Sequence, residues 1–204
     1  MMVFAFTLYM IPGLFGAPLK AISAWLPPQT DQDFNLTDRT SSPESRETPM
    51  KKYANLFHAP HVDAFYDYDQ ALEQSKKANK PVLIDFTGWS CTNCRKMESS
   101  VWSDPGVLKR LKEDYVIVSL YVDDKTELAE NEKYTSKFSG KKAKSVGQKW
   151  ADFQASTFGT NSQPYYVILN PAGEKLVPAQ SFNLDIQNYI QFLDSGKQAF
   201  KNSL

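Results

Sequence analysis

The stretch that decides the fold is PVLIDFTGWSCTNCRKME, which runs from Pro81 to Glu98. It opens with a short continuous apolar run, which is typical of a strand buried on both faces. A turn containing Gly88 follows, and then a segment of helical composition. The only two cysteines of the 204-residue chain, Cys91 and Cys94, stand at the strand-to-helix junction. Their placement together predicts a chemical site at that junction.

Outward from this stretch, residues 60–204 predict one α/β domain. Strands alternate with helices first and a hairpin comes at the end, which predicts a mixed sheet flanked by helices. Besides the strand at 81–86, strands are predicted at 115–122, 164–170 and 176–179, and helices at 67–80, 91–102, 104–114, 146–159 and 184–200.

Within these elements the residue pattern predicts particular faces and caps. Helical periodicity places Ala71, Leu72 and Ala78 on one side of the first helix. Asp104 is predicted to cap the third helix, with Pro105 at its first position.

The segment Asp123–Ser145 is long, charged and nearly free of aliphatic residues. It predicts a solvated surface loop. A role in docking a partner is the alternative, because long loops in compact domains are often functional.

The N-terminal residues 1–26 are predicted to form a membrane-associated segment, the last transmembrane helix of a longer membrane protein. Met1–Leu19 contains no charged side chain, and its length is close to one membrane span. Pro12 and Gly13 interrupt it, which a membrane helix tolerates better than a buried soluble helix. A secretory signal peptide is the main rival, but it needs a basic region ahead of the apolar stretch, and none is present.

Residues 27–59 are polar and rich in Ser, Thr, Pro and charge, which predicts a flexible linker. Across the whole chain, Lys plus Arg and Asp plus Glu each number 23. No net charge therefore directs the chain to nucleic acid, and we expect no nucleic-acid partner.

The spacing of the two cysteines suits thiol chemistry. A thiol reacts as the thiolate, and a cysteine in the first turn of a helix faces unpaired N–H groups and the positive end of the dipole, which favour the anion. Cys91 has that position. Cys94 lies one turn further on the same side, so the two sulfurs can meet.

Two acids accompany the cysteines. Asp85 lies inside the apolar strand, where a carboxylate is costly unless it has a partner or a task. It could take and return the proton of Cys94, and a hydrogen-bonded structural acid is the alternative. Glu98 shares the helix face of Cys94 and is expected to be the better solvated of the two.

A zinc site and a structural disulfide compete with a redox pair. His58 and His61 could complete a Cys2His2 set, but they precede the predicted domain. A disulfide closing so small a loop would constrain the chain little. The strand–helix context favours a redox pair, and we expect no metal or other cofactor.

Proline normally avoids central strands, yet Gln163-Pro164 opens a predicted one. A cis peptide there would explain the proline and would present the backbone of Gln163 toward the cysteines. An ordinary trans proline at the start of a strand is the alternative.

The combination of DFTGWSCTNCRKME, YVIVSLYVDD and QPYYVILNPAGE resembles the thioredoxin fold. More narrowly, it resembles the C-terminal thioredoxin-like domain of DsbD-type thiol:disulfide interchange proteins, particularly Bacteroidetes-like ones. The match is specific around residues 81–105 and 163–174. IPGLFGAPLKAISAWLPP is similar to the end of the membrane domain in that family.

This resemblance implies a role for each residue of the site. Cys91 would be the attacking cysteine and Cys94 the resolving one. Asp85 matches the family's buried acid, Glu98 a second acid near the pair, and Pro164 the cis-proline.

The resemblance also implies a protein-disulfide reductase without cofactors. Its domain would lie in the periplasm, tethered to the cell inner membrane. It would take electrons from a DsbD-type membrane donor domain and pass them to oxidised extracytoplasmic proteins or thioredoxin-like partners. The N-terminal substrate domain and the full membrane transporter of that family are missing from this sequence. A non-catalytic docking module is the alternative.

Overall fold

The structure of the chain is a computed structural model that describes residues 11, 51–55, 59 and 61–203. The predicted membrane-associated segment 1–26 and most of the predicted linker 27–59 lie outside the described residues. Among the residues that are described, no helix combines the length and apolar composition needed to cross a bilayer. The residues from Lys51 onward form a compact unit of their own.

The predicted mixed sheet with flanking helices is confirmed. The strands are β1 (Ala64–Phe65), β2 (Val82–Thr87), β3 (Val116–Tyr121), β4 (Tyr134–Thr135), β5 (Lys142–Ala143), β6 (Tyr165–Leu169) and β7 (Gln180–Ser181). The helices are α1 (Tyr68–Ala78), α2 (Thr92–Met97), α3 (Pro105–Asp114), α4 (Val146–Phe158) and α5 (Ile186–Asn202). A π-helical turn, Glu98–Trp102, continues α2, and a 3-10 turn spans Glu130–Glu132.

The main sheet has the strand order β1-β3-β2-β6-β7. The first three strands run parallel, and β6 and β7 run antiparallel. β2 lies at the centre, and all six of its residues are buried. The predicted doubly buried strand is therefore confirmed, and everything polar on it must find a partner inside the protein.

The register of β2 decides which side chains share its two faces. Asp85 is paired with Ser119 of β3 and Tyr166 of β6, and Thr87 is paired with Tyr121. Residues directly opposite each other on neighbouring strands point to the same face. These five side chains therefore share one face of the sheet.

Phe86 points to the opposite face and packs in an aromatic cluster. Its ring centroid lies 5.7 Å from that of Phe158 and 6.1 Å from that of Phe153, both on α4. One face of β2 is thus apolar core, and the other carries the polar groups.

The predicted caps of α3 are confirmed, and one prediction for α1 is wrong. The carboxylate of Asp104 accepts hydrogen bonds from the amides of Gly106 and Val107, with Pro105 at the first helical position. In α1, Ala71 is fully buried but Ala78 is exposed. Asn79 adopts a left-handed conformation and ends the helix there, so the last turn extends beyond the core.

The strand predicted at 176–179 lies elsewhere. The last strand is Gln180–Ser181, and an isolated bridge joins Lys175 to Leu169. Pro178 stands between the two contacts and has no amide hydrogen to donate. The pairing with β6 is therefore split on either side of that proline.

The segment Asp123–Ser145 is more ordered than the predicted solvated loop. Its ends pair with each other, since the amide of Leu128 donates to the carbonyl of Lys144 at 2.9 Å. Leu128, Ser136 and Ala143 are buried, and β4 and β5 form a short hairpin. Long-range pairing between the two ends stabilises a segment whose composition alone predicts a loop.

Gly147 lets helix α4 approach the start of this segment. Its amide donates to the carbonyl of Asp124 at 3.1 Å. A Cβ at this position would lie 2.4 Å from the backbone nitrogen of Asp124 and 2.5 Å from its oxygen. Such distances are shorter than any van der Waals contact, so only glycine fits.

We predict that Gly147→Ala destabilises the domain by about 1–3 kcal/mol, because overpacking against a backbone cannot be relieved by a rotamer change. Urea unfolding monitored by tryptophan fluorescence measures the loss. Gly106→Ala is the matched control: it occupies the same second helical position in α3, and its Cβ would meet only side-chain atoms at 3.1 Å or more. Equal stability of the two variants would contradict the prediction.

Candidate functional site

Cys91 and Cys94 form a disulfide at the predicted strand-to-helix junction. Cys91 is the N-cap of α2 and is half-buried, whereas Cys94 is only 1% exposed. Their Cα atoms are 5.2 Å apart, and the amide of Cys94 donates to the Sγ atom of Cys91 at 3.1 Å. The sulfur of Cys91 thus lies at the helix end that favours a thiolate, and it is the one that solvent can reach.

A shallow open depression of about 270 Å³ surrounds the reachable sulfur. It is lined by Gly88, Ser90, Cys91, Thr92, Asn93, Asp123 and Gln163. Most of these residues come from the loop and first turn that carry the disulfide. A segment of another protein can therefore approach Cys91 directly.

The loop before Cys91 is held by Asp123, which sequence analysis did not single out. The carboxylate of Asp123 accepts hydrogen bonds from the amides of Trp89 at 2.8 Å and Ser90 at 2.9 Å. The neighbouring Asp124 accepts from the indole nitrogen of Trp89 at 2.8 Å. Two acids directly after a strand were a signal for this role, but only the fold shows what they bind.

Of the cis and trans alternatives for the Gln163-Pro164 peptide, the structure has the cis form. Gln163 lines the same depression as Cys91, so the proline stands next to the disulfide in the fold. The turn before it is anchored by the fully buried Gln154, whose amide nitrogen donates to the carbonyl of Ser162 at 2.8 Å.

Asp85 on the central strand β2 is buried, with 3% of its surface exposed. The hydroxyl of Ser119 donates to its Oδ2 atom at 3.1 Å. Burial raises the pKa of Asp85 to about 7, while the positive charge of Arg95 and the bond from Ser119 oppose the rise. A carboxyl with such a pKa can change protonation near neutral pH.

Glu98 is 7% exposed and Asp85 is 3% exposed, so Glu98 is buried as well and is only slightly the better solvated of the two acids. It begins the π-helical turn that packs on the core, and its Oε1 atom lies 2.7 Å from Nη2 of Arg95. Burial raises the pKa of Glu98 to about 8, and the charge of Asp85 contributes to the rise while Arg95 opposes it. Two buried acids, rather than one, therefore interact with Arg95, the residue that follows Cys94.

Arg95 and Thr87 complete the site and were missed by sequence analysis. The Nη2 atom of Arg95 donates to the hydroxyl of Thr87 at 3.0 Å, so the side chain points down onto the polar face of β2. Arginine after the second cysteine reads as an exposed helix residue in the sequence, yet it is 7% exposed. Only the structure shows that Arg95 lies over the face of the sheet that carries Asp85 and Thr87.

Two buried tyrosines line the same face of the sheet. Burial raises the pKa of Tyr121 on β3 and of Tyr166 on β6. Both hydroxyls therefore keep their protons near neutral pH, and the groups that titrate in this region are Asp85 and Glu98.

The zinc alternative needs His58, which lies outside the described residues, and both thiols. The structure joins the thiols in a disulfide. Within the described part of the chain, no group of three or more His, Cys, Asp or Glu side chains is arranged to hold a metal ion.

Comparisons of the sequence with known proteins point to one family. The family model described as a thioredoxin-like domain matches residues 68–194. The thiol:disulfide interchange protein DsbD of Vibrio vulnificus (strain CMCP6) is 27% identical over 101 residues. That match covers 50% of this chain and 14% of the DsbD sequence, so the chain spans only a small part of that relative.

Solved structures similar to this chain include a DsbH oxidoreductase, with a TM-score of 0.49 and 20% identity, covering 78% of this chain and 96% of that one. A thioredoxin from Thermus thermophilus has a TM-score of 0.46 and 24% identity, covering 63% of this chain and 82% of that one.

We predict that the oxidised protein loses stability as the pH rises from about 4 to about 8. The folded-state pKa of Asp85, about 7, lies above its ordinary value of 3.8. Between these values the folded state binds more protons than the unfolded state, so the free energy of unfolding falls with rising pH. Asp85→Asn removes the part of this dependence that Asp85 contributes and leaves the part due to Glu98, whose pKa is also raised. At pH 8 the variant should be more stable than wild type by about 1.4 kcal/mol for each unit by which burial raises the pKa of Asp85.

Urea unfolding of the oxidised protein at pH 4, 6 and 8 measures this effect. Glu113→Gln, which changes an exposed carboxylate of α3, is the control and should leave the pH dependence unchanged. An Asp85→Asn variant with the wild-type pH slope would show that Asp85 does not titrate in this range.

Proposed function

Because the chain belongs to the thioredoxin-like family, we propose that it is a DsbD-type protein-disulfide reductase that uses Cys91 and Cys94 as its redox dithiol. The observation that carries the proposal is the arrangement of the pair. One sulfur is reachable at a helix N-cap and the other is buried. Two buried acids with raised pKa values interact with Arg95, the residue that follows the buried cysteine.

In the reducing direction, the thiolate of Cys91 attacks one sulfur of a partner disulfide. The partner's S–S bond breaks, a mixed disulfide forms, and the partner's other sulfur leaves as a thiolate that takes up a proton. The thiol of Cys94 then loses its proton and attacks the Sγ atom of Cys91. The mixed disulfide breaks, the Cys91–Cys94 disulfide forms, and the partner leaves with two electrons gained.

The proton of Cys94 is taken up by the buried acids in this proposal. Asp85 supplies the carboxylate of the central strand, and Glu98 supplies a second one on the helix that carries Cys94. A general base works best when its pKa lies near the working pH. The raised pKa values of both acids meet that condition.

Pro164 contributes by shaping the depression in which the partner binds. Pro164 follows Gln163, which lines this depression together with Cys91. In this proposal, the backbone of Gln163, just ahead of β6, hydrogen-bonds to an extended segment of the partner.

The electrons come from a DsbD-type membrane donor domain, whose dithiol reduces the Cys91–Cys94 disulfide by the reverse steps. Oxidised extracytoplasmic proteins or thioredoxin-like partners receive them. The domain lies in the periplasm and is tethered to the inner membrane through residues 1–26. The support is the resemblance to DsbD and the uncharged stretch Met1–Leu19.

A docking module is the second candidate, and the hairpin of the Asp123–Ser145 segment favours it. Phe138 at the hairpin tip is 64% exposed. The hydroxyl of Ser136 accepts hydrogen bonds from the amides of Phe138 at 3.1 Å and Ser139 at 2.9 Å, which fixes the tip. Exposed lysines flank the tip at positions 137, 141, 142 and 144. A fixed aromatic residue among cations suits an acidic partner.

We predict that Cys94→Ser traps mixed disulfides with partner proteins on Cys91, because the resolving thiol is gone, while Cys91→Ser traps none. In the reduced wild type, Cys91 should be alkylated before Cys94 because it is the less buried thiol. Non-reducing gels with mass spectrometry identify the trapped sulfur. A redox titration should give a potential of about −270 to −200 mV, as for other reducing members of this fold.

Three outcomes would contradict this assignment. Faster alkylation of Cys94 would reverse the roles of the two thiols. A potential near −120 mV, about that of DsbA, would make the protein a disulfide donor. No trapping by either variant, together with partner binding through Lys125–Ser145, would favour the docking module.

We predict that the full chain sediments with membranes and that a chain starting at Lys51 stays in the soluble fraction. The physical reason is that transferring the uncharged Met1–Leu19 stretch from water to a bilayer is favourable. Fractionation followed by alkaline extraction measures this. Recovery of the full, uncleaved chain from the soluble fraction alone would contradict the tether.

A further inference from the structure

Arg95 places a full positive charge inside the protein, directly after the buried cysteine. The residue is 7% exposed, and its Nη2 atom contacts Glu98 at 2.7 Å and Thr87 at 3.0 Å. Its Nε and Nη1 atoms are buried and have no hydrogen-bond partner among the described residues. Among the described residues, the guanidinium therefore has one direct ion pair, with Glu98, and its Nε and Nη1 donors make no hydrogen bond.

The groups around Arg95 come from every element packed at this point. Glu98 of the π-helical turn and Thr87 of β2 contact Arg95 directly. Its charge also acts on Asp85 of β2, Tyr121 of β3 and Tyr166 of β6. Ser119 of β3 and Tyr189 of α5 interact with Asp85. The tyrosines keep their protons because burial raises the pKa of each. The charged groups of this cluster are thus one fixed cation, Arg95, and two acids that can gain or lose a proton, Asp85 and Glu98.

Charge balance limits the protonation states of this cluster. An arginine side chain does not lose its proton in a protein, and an uncompensated buried charge is costly. With Arg95 fixed at +1, the cluster is neutral when one of Asp85 and Glu98 is ionised and the other keeps a proton. Two ionised acids would leave a net negative charge, and two protonated acids a net positive one.

We propose that Arg95 is a positioning residue that holds Asp85 and Glu98 at one shared proton near neutral pH. The inference rests on the proposed reductase function and deepens it. A cluster in this state contains both a carboxylate and a carboxylic acid. It can accept the proton of Cys94 when the disulfide closes and return one when the disulfide opens.

Removal of the positive charge of Arg95 is expected to stop proton transfer from Cys94 to the acids near neutral pH. Without Arg95 the ionised carboxylate has no compensating charge, so both acids retain protons until a higher pH. Cys94 then has no buried carboxylate to receive its proton. An opposite charge at this distance is worth about one to three pKa units, so the shift is large enough to measure.

The test compares Arg95→Gln, Arg95→Lys and wild type in the full chain kept in mild detergent. Carbon-13 NMR of the side-chain carboxyls in the oxidised protein follows Asp85 and Glu98 directly. The rate of exchange with a small-molecule disulfide is measured from pH 5 to 10. In Arg95→Gln, both carboxyl titrations and the midpoint of the rate profile should move up by about one pH unit or more. Arg95→Lys should stay near wild type because it keeps the charge.

Lys96→Gln is the matched control. It removes one positive charge from the adjacent residue of the same helix, but from an exposed side chain. It should leave the titrations and the rate profile unchanged. An Arg95→Gln profile equal to that of wild type overturns the proposal, and so does an Arg95→Lys profile shifted as far as that of Arg95→Gln.

A pair of variants keeps the test decisive if Arg95→Gln alone does not fold. Arg95→Gln combined with Glu98→Gln removes a cation and an anion together, so the cluster is uncharged as long as Asp85 keeps its proton. The pKa of Asp85 should be higher in this double variant than in Glu98→Gln alone. Equal values would show that Arg95 does not act on Asp85, and the proposal would fail.

The same measurements separate this inference from the proposed function. If the wild-type dithiol neither exchanges with disulfides nor traps partners, the reductase assignment fails whatever the carboxyls do. If the wild type exchanges normally and its rate profile does not depend on Arg95, only the role of Arg95 is wrong.

Discussion

The burial of strand β2 on both faces is the constraint from which the rest of the site follows. β2 is paired with β3 on one side and β6 on the other, and none of its six residues reaches solvent. Five of these side chains are apolar or small and tolerate burial, but Asp85 carries a carboxylate that does not. Its carboxylate must be neutralised or hydrogen-bonded by groups that the neighbouring elements bring. The hydroxyl of Ser119 donates a hydrogen bond to this carboxylate, and the positive charge of Arg95 stabilises its ionised form.

The same burial that makes the acids useful also makes them costly. A carboxyl whose pKa is raised by desolvation lowers the stability of the folded state at every pH above its ordinary pKa. A purely structural core would gain by replacing Asp85 with an apolar residue. Two buried acids around an arginine are a local departure from apolar packing, and such departures concentrate at functional positions.

The Asp123–Ser145 segment is joined to the disulfide loop rather than simply attached to the surface. Its first two residues bind the backbone of Trp89 and Ser90 and the indole of Trp89, while Gly147 closes its far end against Asp124. The hairpin that carries Phe138 begins at Tyr134, ten residues after Asp124. A partner that binds the hairpin would thus bind an element that is hydrogen-bonded, at its base, to the loop before Cys91.

The sequence by itself determined the order of the main elements, the doubly buried strand, the helix cap at Asp104 and the site of thiol chemistry, because apolar runs, capping residues and a Cys-x-x-Cys spacing are local signals. It also posed the choice at Gln163-Pro164 that the structure resolves as cis. Only the tertiary structure decided that Glu98 is buried, that Arg95 turns inward and that Asp123 holds the cysteine loop. Each of these depends on which residues of distant strands lie opposite one another. A register between strands is set by packing of the whole sheet, so no local pattern could have supplied it.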